Sequence, residues 1–325
     1  MSSFATKLYR SLNPTVITRG STFYAKNPNL VSTSWVYNRL DTVKIIDATR
    51  HIAEHRNAKS EYFASRLPGA QFLDLENLCQ RDGPLIKKMP TEDQFQKMVE
   101  RLGISSDDDV VIYDTQGLYS AARAWFMFRV FNKNVKVHVM NGGLVRWTTE
   151  AYPLEKGKYE LPSKKGSFAL NPDYSLICSM NEVNQRVRDY KGGLTKRTVV
   201  DMRKPCCYHG TCHAPIANLP KGHIPGSVNI PYYNITDPYN NYMIRNPDEL
   251  RTIFEKHGVM VNEPEKMIFS CDYGISSCVG LFAMTLLGRP LERCECERCV
   301  RRSCCVYDGS WIEYSQQKDA AIELC

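Results

Sequence analysis

Asp109-Val-Val-Ile-Tyr-Asp114 and Glu265-Lys-Met-Ile-Phe-Ser-Cys271 are one apolar run met twice, each ending on a polar residue, Asp114 in the first and Cys271 in the second. Outward from this pair the correspondence continues. Lys44-Ile-Ile-Asp47 recurs as Thr198-Val-Val-Asp201, and Leu67-Pro-Gly-Ala-Gln-Phe72 recurs as Ile224-Pro-Gly-Ser-Val-Asn229. Val139-Met-Asn-Gly-Gly-Leu144 returns as Val306-Tyr-Asp-Gly-Ser-Trp311. From Pro68 to Asp114 is 46 residues, and from Pro225 to Cys271 is again 46. Similarity in several blocks at a shared spacing marks a duplicated structural unit.

Each copy alternates short β-branched runs with helical patterns. Val43–Asp47, Val110–Tyr113, Val135–Met140, Val199–Asp201 and Met267–Ser270 read as strands. Ala121–Phe131 and Asp248–Lys256 read as helices, the second opened by Asn246-Pro247. Strand and helix in alternation predict an α/β fold, two tandem units that are each a parallel sheet flanked by helices. The expected organisation is a basic segment at 1–28, a first unit at 29–154, a linker at 155–173 and a second unit at 174–316. The linker assignment rests on Gly, Ser, Pro and Lys without periodicity.

Composition narrows the function classes. The longest apolar run, Cys278 to Gly288, is eleven residues and too short to span a bilayer. The net charge of +7 is concentrated at one end: residues 1–40 carry five cations and no acid, while the remaining 285 carry 37 bases and 35 acids. A nucleic-acid partner would need that charge on the folded body, so none is expected. A basic, Ser/Thr-rich, acid-free start has the composition of a mitochondrial transit segment, or equally of a tail on a cytoplasmic protein. Thirteen cysteines, an odd number in a long chain without a secretory leader, point to reduced thiols.

Cys271 is the candidate nucleophile. It falls at the carboxyl end of a predicted parallel strand, where open α/β sheets bind ligands. It also faces the amino end of the helix expected over Cys278–Leu287, whose free N–H groups favour an anion. Such a setting favours thiolate over thiol. Gly274 lets the loop curl so that backbone N–H groups converge on the sulfur. A phosphatase loop would need an arginine to grip the phosphate oxygens, and none occurs between Cys271 and Arg289. Sulfur transfer, with a cysteine persulfide as the held anion, needs only the sulfur and the donors.

The chain resembles the tandem-domain rhodanese family of thiosulfate and 3-mercaptopyruvate sulfurtransferases. The matching residues are Leu30-Val-Ser-Thr-Ser-Trp35, Leu67-Pro-Gly-Ala70, Tyr119–Arg129, Asn141-Gly-Gly143, Gly222–Asn229, the loop at Cys271 and Tyr307-Asp-Gly-Ser-Trp311. They span most of the chain in the family's order. The resemblance implies one active site between two rhodanese domains, with Asp114 leaving the first domain unable to carry a persulfide. It implies that Cys271 takes sulfur from thiosulfate or 3-mercaptopyruvate and passes it to cyanide, a thiol or a reduced dithiol protein, with no cofactor, metal or membrane involved. Ser276 keeps the family's hydroxyl near the loop's end, and Arg203 matches the arginine that holds the donor's anionic group. Asp272 and Tyr273 stand where the two branches carry Gly-Ser or Arg-Lys, and the stretch Pro205–Gly210 lacks the usual second arginine. Glu76 and Lys87 split the vote between the branches. Asp272 is expected as an exposed carboxylate that repels a dianionic donor. These departures keep open a weak or silent rhodanese-like module as the alternative to a typical enzyme.

Two further cysteine groups stand out. Cys294, Cys296 and Cys299, followed by Cys304 and Cys305, fall in or beside a ten-residue insertion, because Asp114 to Asn141 is 27 residues and Cys271 to Asp308 is 37. Cys206, Cys207, His209, Cys212 and His213 form the second group. Metal binding, loop variation and a sulfur or redox relay to Cys271 are all open for them.

Overall fold

The structure, a computed structural model, describes residues 27–51, 55–78, 80–82, 85–212, 219–291 and 303–324. The first 26 residues, Cys294, Cys296, Cys299 and His213 lie outside the described residues, as do the side chains of 80–88, including Lys87.

Fourteen strands are described: β1 (Leu30–Val31), β2 (Lys44–Asp47), β3 (Gln71–Phe72), β4 (Gln80–Asp82), β5 (Leu85–Lys88), β6 (Asp109–Tyr113) and β7 (Lys136–Met140) in the first half. The second half holds β8 (Ile177–Cys178), β9 (Val200–Asp201), β10 (Val228–Asn229), β11 (Thr236–Asp237), β12 (Met243–Ile244), β13 (Met267–Ser270) and β14 (Cys304–Tyr307). The first sheet runs β1-β7-β6-β2-β3 and the second β8-β14-β13-β9-β10, every pairing parallel. The sequence repeat is thus one topology built twice, with β6 and β13 at the centre of their sheets. Both central strands are apolar and buried almost throughout, as parallel strands covered on both faces must be.

Helix boundaries follow local chemistry. Asn246 caps Pro247–Lys256, accepting hydrogen bonds from the Asp248 and Glu249 N–H groups, and Glu249 closes a capping box. The helices Ala121–Phe131 and Ser277–Leu286 instead lack a side-chain cap and a polar face. A helix apolar all round must be buried on every side. These two occupy equivalent places after β6 and β13 and pack against each other, with Trp125 edge-on to Phe282 at 4.9 Å between ring centroids. A single buried cluster therefore runs through both halves, from Leu30 to Val306.

Residues 155–173 hold little regular structure, but they are tied to the first half. Glu155 pairs with Arg66, Gly166 N–H donates to Glu100, and the Phe168 side chain is buried in the core.

Candidate active site

Strand β13 delivers Cys271 to the sheet's carboxyl edge, and the chain turns at Gly274 (φ +80°) before entering the helix Ser277–Leu286. The turn requires glycine. A Cβ there would stand 2.6 Å from Asp308 Oδ1, in a backbone conformation that L side chains rarely adopt. Gly274 N–H donates to Cys271 Sγ at 3.1 Å, and Ser277 Oγ lies 3.7 Å from the same sulfur. The helix amino end stands behind these groups, so the sulfur sits where negative charge is favoured. Ser276, expected to supply the loop's hydroxyl, makes no side-chain capping bond; its neighbour Ser277 is the hydroxyl beside the sulfur.

Ser310 fixes the loop from below. Its Oγ accepts from Cys271 N–H and Gly274 N–H, both at 3.1 Å, and donates to the Tyr307 carbonyl at 2.7 Å. Sγ is 3.9 Å away, and the single hydroxyl proton is already directed to Tyr307. Ser310 is fully buried and holds φ at +51°, where the first half has Gly143 at +54°. A non-glycine residue in this conformation is uncommon, and here the buried hydrogen bonds of its side chain hold it.

The first half closes the site from the other side. Arg123, fully buried on the helix Ala121–Phe131, donates to the Gly274 carbonyl at 3.0 Å and pairs with Asp308 at 2.7 Å. Asp308 also accepts from Met89 N–H at 2.8 Å. Side chains from both halves thus hold the loop that carries Cys271. Ser310 and Asp308 were legible in the sequence only as parts of a recurring motif and Arg123 only within the family-like stretch Tyr119–Arg129; no local pattern points to their meeting.

In the corresponding loop of the first half the Asp114 carboxyl group fills the turn, its pKa raised by burial against the hydrogen bonds it receives. It accepts backbone hydrogen bonds from Gln116, Ser120 and Ala121, each at 2.8 Å. The same turn that presents a sulfur in one half is filled by its own carboxyl group in the other.

The mouth of the site is aromatic and cationic. Arg50 lies 5.2 Å from the Tyr273 ring centroid, pairs with Glu76 and donates to Tyr119 Oη at 3.3 Å. Tyr119 packs on Tyr232 at 5.1 Å. Burial raises the phenol pKa of Tyr273, so its hydroxyl keeps its proton and can donate. Arg203 does not project into solvent to meet a donor. It is buried, its Nε and Nη2 are engaged by Asp201, Nη2 also donates to the Gly222 carbonyl, and the guanidinium stacks on Trp311 at 4.6 Å. Asp272 is not the exposed carboxylate expected from the sequence. It is half-buried, its Oδ1 is buried without a hydrogen-bond partner, and it lines a small cavity with Arg203, Trp311, Cys207 and Cys212. Burial pushes its pKa up to about 6 against the pull of Arg203.

The other cysteines separate cleanly. Cys304 and Cys305 belong to β14 and are buried there as sheet residues. Cys278 is buried in the helix after the loop, its thiol pushed up to about 12 by burial. Cys206, Cys207 and Cys212 form a half-buried cluster beside Asp272.

Comparison with known proteins gives consistent results. The model of the rhodanese-like domain matches residues 32–150 and again 179–317. The chain is 31% identical to the 3-mercaptopyruvate sulfurtransferase of Escherichia coli over 90% of its own length and 97% of that protein's. It is 33% identical to the thiosulfate sulfurtransferase of Cricetulus griseus, over 89% and 92% of the two chains. The crystal structure of SseA from Escherichia coli superposes with a TM-score of 0.73 at 29% identity, covering 87% of this chain and 98% of that one.

Proposed function

The chain belongs to the rhodanese family and is a sulfurtransferase, and from that premise we propose that Cys271 carries the transferred sulfur as a persulfide and that 3-mercaptopyruvate is the preferred donor. The observation that carries the first part is the 3.1 Å hydrogen bond from Gly274 N–H to a sulfur at the end of β13. Cys271, as thiolate after its proton passes to solvent, attacks the donor's sulfur. With 3-mercaptopyruvate the carbon–sulfur bond breaks, carbon keeps the electron pair and is protonated, and pyruvate leaves. With thiosulfate the sulfur–sulfur bond breaks and sulfite leaves with the pair. Cyanide, a small thiol or a reduced dithiol protein then attacks the outer sulfur, and Cys271 departs as thiolate. Gly274 N–H and the Ser277 hydroxyl face the charge that develops in both steps.

The donor preference follows from charge. Arg203 and Arg50 are each already paired with a carboxylate, Asp201 and Glu76, and Asp272 adds a further one beside the nucleophile. A dianion gains little there, whereas a monoanionic carboxylate with a polarisable thiol loses less. A mitochondrial or cytoplasmic setting, as read from the basic start of the chain, suits both donors.

The decisive experiment incubates the protein with each donor and follows both intact mass and turnover with cyanide. One added sulfur atom, absent in Cys271→Ser, and kcat/KM at least tenfold higher for 3-mercaptopyruvate are expected. Turnover by Cys271→Ser would refute the persulfide, and a preference for thiosulfate would refute the donor assignment. A silent carrier, the alternative suggested by the Asp272-Tyr273 loop, would gain the sulfur and fail to turn over.

A further inference from the structure

Cys206 and Cys207 lie on the four-residue helix Pro205–Tyr208, and Cys212 lies just beyond it. The chain folds back so that Thr211 and Cys212 N–H groups both donate to the Cys206 carbonyl, at 2.9 and 3.2 Å. The three sulfur atoms lie within 4.8 Å of one another, and those of Cys207 and Cys212 are 3.2 Å apart. Thiolates around one tetrahedral zinc ion, at a bond length of about 2.3 Å, are about 3.8 Å apart. The cluster needs to open only slightly to match that spacing.

A second observation points to the same ligand. The Asp272 carboxylate lines the small cavity that Cys207 and Cys212 also line, and its buried Oδ1 has no hydrogen-bond partner. A buried acceptor without a donor is costly, and a cation satisfies it. The cavity has room for about one water-sized occupant. Three soft sulfur donors select a thiophilic ion over calcium or magnesium, which require oxygen. Lys221 at the cavity wall and Lys204 beside the cluster offset the charge of the thiolates.

We propose that Cys206, Cys207 and Cys212 bind one zinc ion and that the Asp272 carboxylate, which lies outside the group of mutually close ligand atoms, moves in from the shared cavity as the fourth ligand. Binding displaces the thiol protons to solvent, and no electron is transferred. The ion ties the helix Pro205–Tyr208 to the residue that follows the nucleophile. Asp272 is itself anchored through its carbonyl, which accepts from Ile312 N–H at 3.1 Å. Metal occupancy is therefore coupled to the loop that presents Cys271.

The test uses the full chain, reduced and stripped of metal, titrated with Zn²⁺ against a chromophoric chelator. Cys294→Ser/Cys296→Ser/Cys299→Ser and Cys271→Ser should each retain one tightly bound equivalent. Adding Cys206→Ser, Cys207→Ser and Cys212→Ser should weaken binding at least a hundredfold, and Asp272→Asn should weaken it about tenfold. X-ray absorption on the unsubstituted zinc-loaded protein should count three sulfur ligands, which keeps the proposal testable even where the multiple variant folds poorly. Unchanged affinity in that variant, or a metal with one sulfur ligand or none, would overturn the site.

Discussion

Ser310 concentrates the cost of building this site. Its left-handed backbone is a strained choice for a serine, and a glycine does the same job in the first half. What the serine adds is an oxygen that accepts two loop N–H groups at once, those of Cys271 and Gly274. Removing that buried acceptor leaves Cys271 N–H unpaired, worth about 1–3 kcal/mol, and leaves Gly274 N–H to the Cys271 sulfur alone. Ser310→Ala and Ser310→Gly should both lower kcat at least tenfold while KM for the donor stays within about twofold, as steady-state kinetics would show. Near-normal turnover in the glycine variant would mean that the backbone conformation alone matters. A neighbouring serine taught the opposite lesson. The sequence motif pointed to Ser276, but the first turn of a helix rotates each successive side chain by about 100°, and that rotation gives the sulfur to Ser277.

At the level of elements, the equivalent strand ends of β2 and β9 carry Asp47 and Asp201 in one position but treat them differently. Asp201 is met by Arg203 at 2.7 Å, whereas the residue aligned with Arg203 is Thr49, which offers Asp47 only its N–H at 2.9 Å and its hydroxyl. Burial consequently pushes Asp47 up to about 6. Folding thus favours the protonated acid. The stability this contributes is complete below the ordinary aspartate pKa of about 4 and is lost as pH rises through 6, a change on the order of 2–3 kcal/mol. The difference in unfolding free energy, wild type minus Asp47→Asn, should therefore fall by that order between pH 4 and pH 7. Denaturant titrations giving parallel pH profiles would contradict it. Strands and helices themselves were largely readable: the strand run Met267–Ser270 and the helix Ala121–Phe131 were placed residue for residue. Periodicity and capping are local, so they survive in one dimension. Burial of a carboxylate is not local, and the difference between Asp47 and Asp201 could be seen only once each had neighbours.

Across the whole molecule, duplication was put to asymmetric use. Two copies of one sheet face each other through two helices without a polar side, and the resulting core is shared. One loop cradles the Asp114 carboxyl group and the other presents Cys271, while Arg123 crosses from the first half to brace the second. Breaking a buried ion pair from one side typically costs about 3–5 kcal/mol. Arg123→Met should lower stability by that order and reduce turnover at least tenfold. Arg123→Lys should recover part of the stability but little of the activity, because both contacts are made by Nη1, which stands one bond farther from the backbone than a lysine ammonium. Denaturation curves paired with kinetics would decide, and an active Arg123→Met enzyme would remove the first half from the catalytic arrangement.

By itself the sequence determined that the chain is a duplicated α/β protein and singled out Cys271 as the candidate nucleophile, because repeats, apolar periodicity and a strand-loop-helix motif are written in the order of neighbouring residues. Tertiary structure alone decided which hydroxyl faces the sulfur, that Arg203 is consumed by Asp201, that Arg123 reaches the loop, and that Asp272 turns to a cysteine-lined cavity. Two of those contacts are near in sequence and are set by burial and backbone geometry, whereas Arg123 and Gly274 lie 151 positions apart. No local pattern encodes contacts of that range; only the packing of two sheets around a common core brings them together.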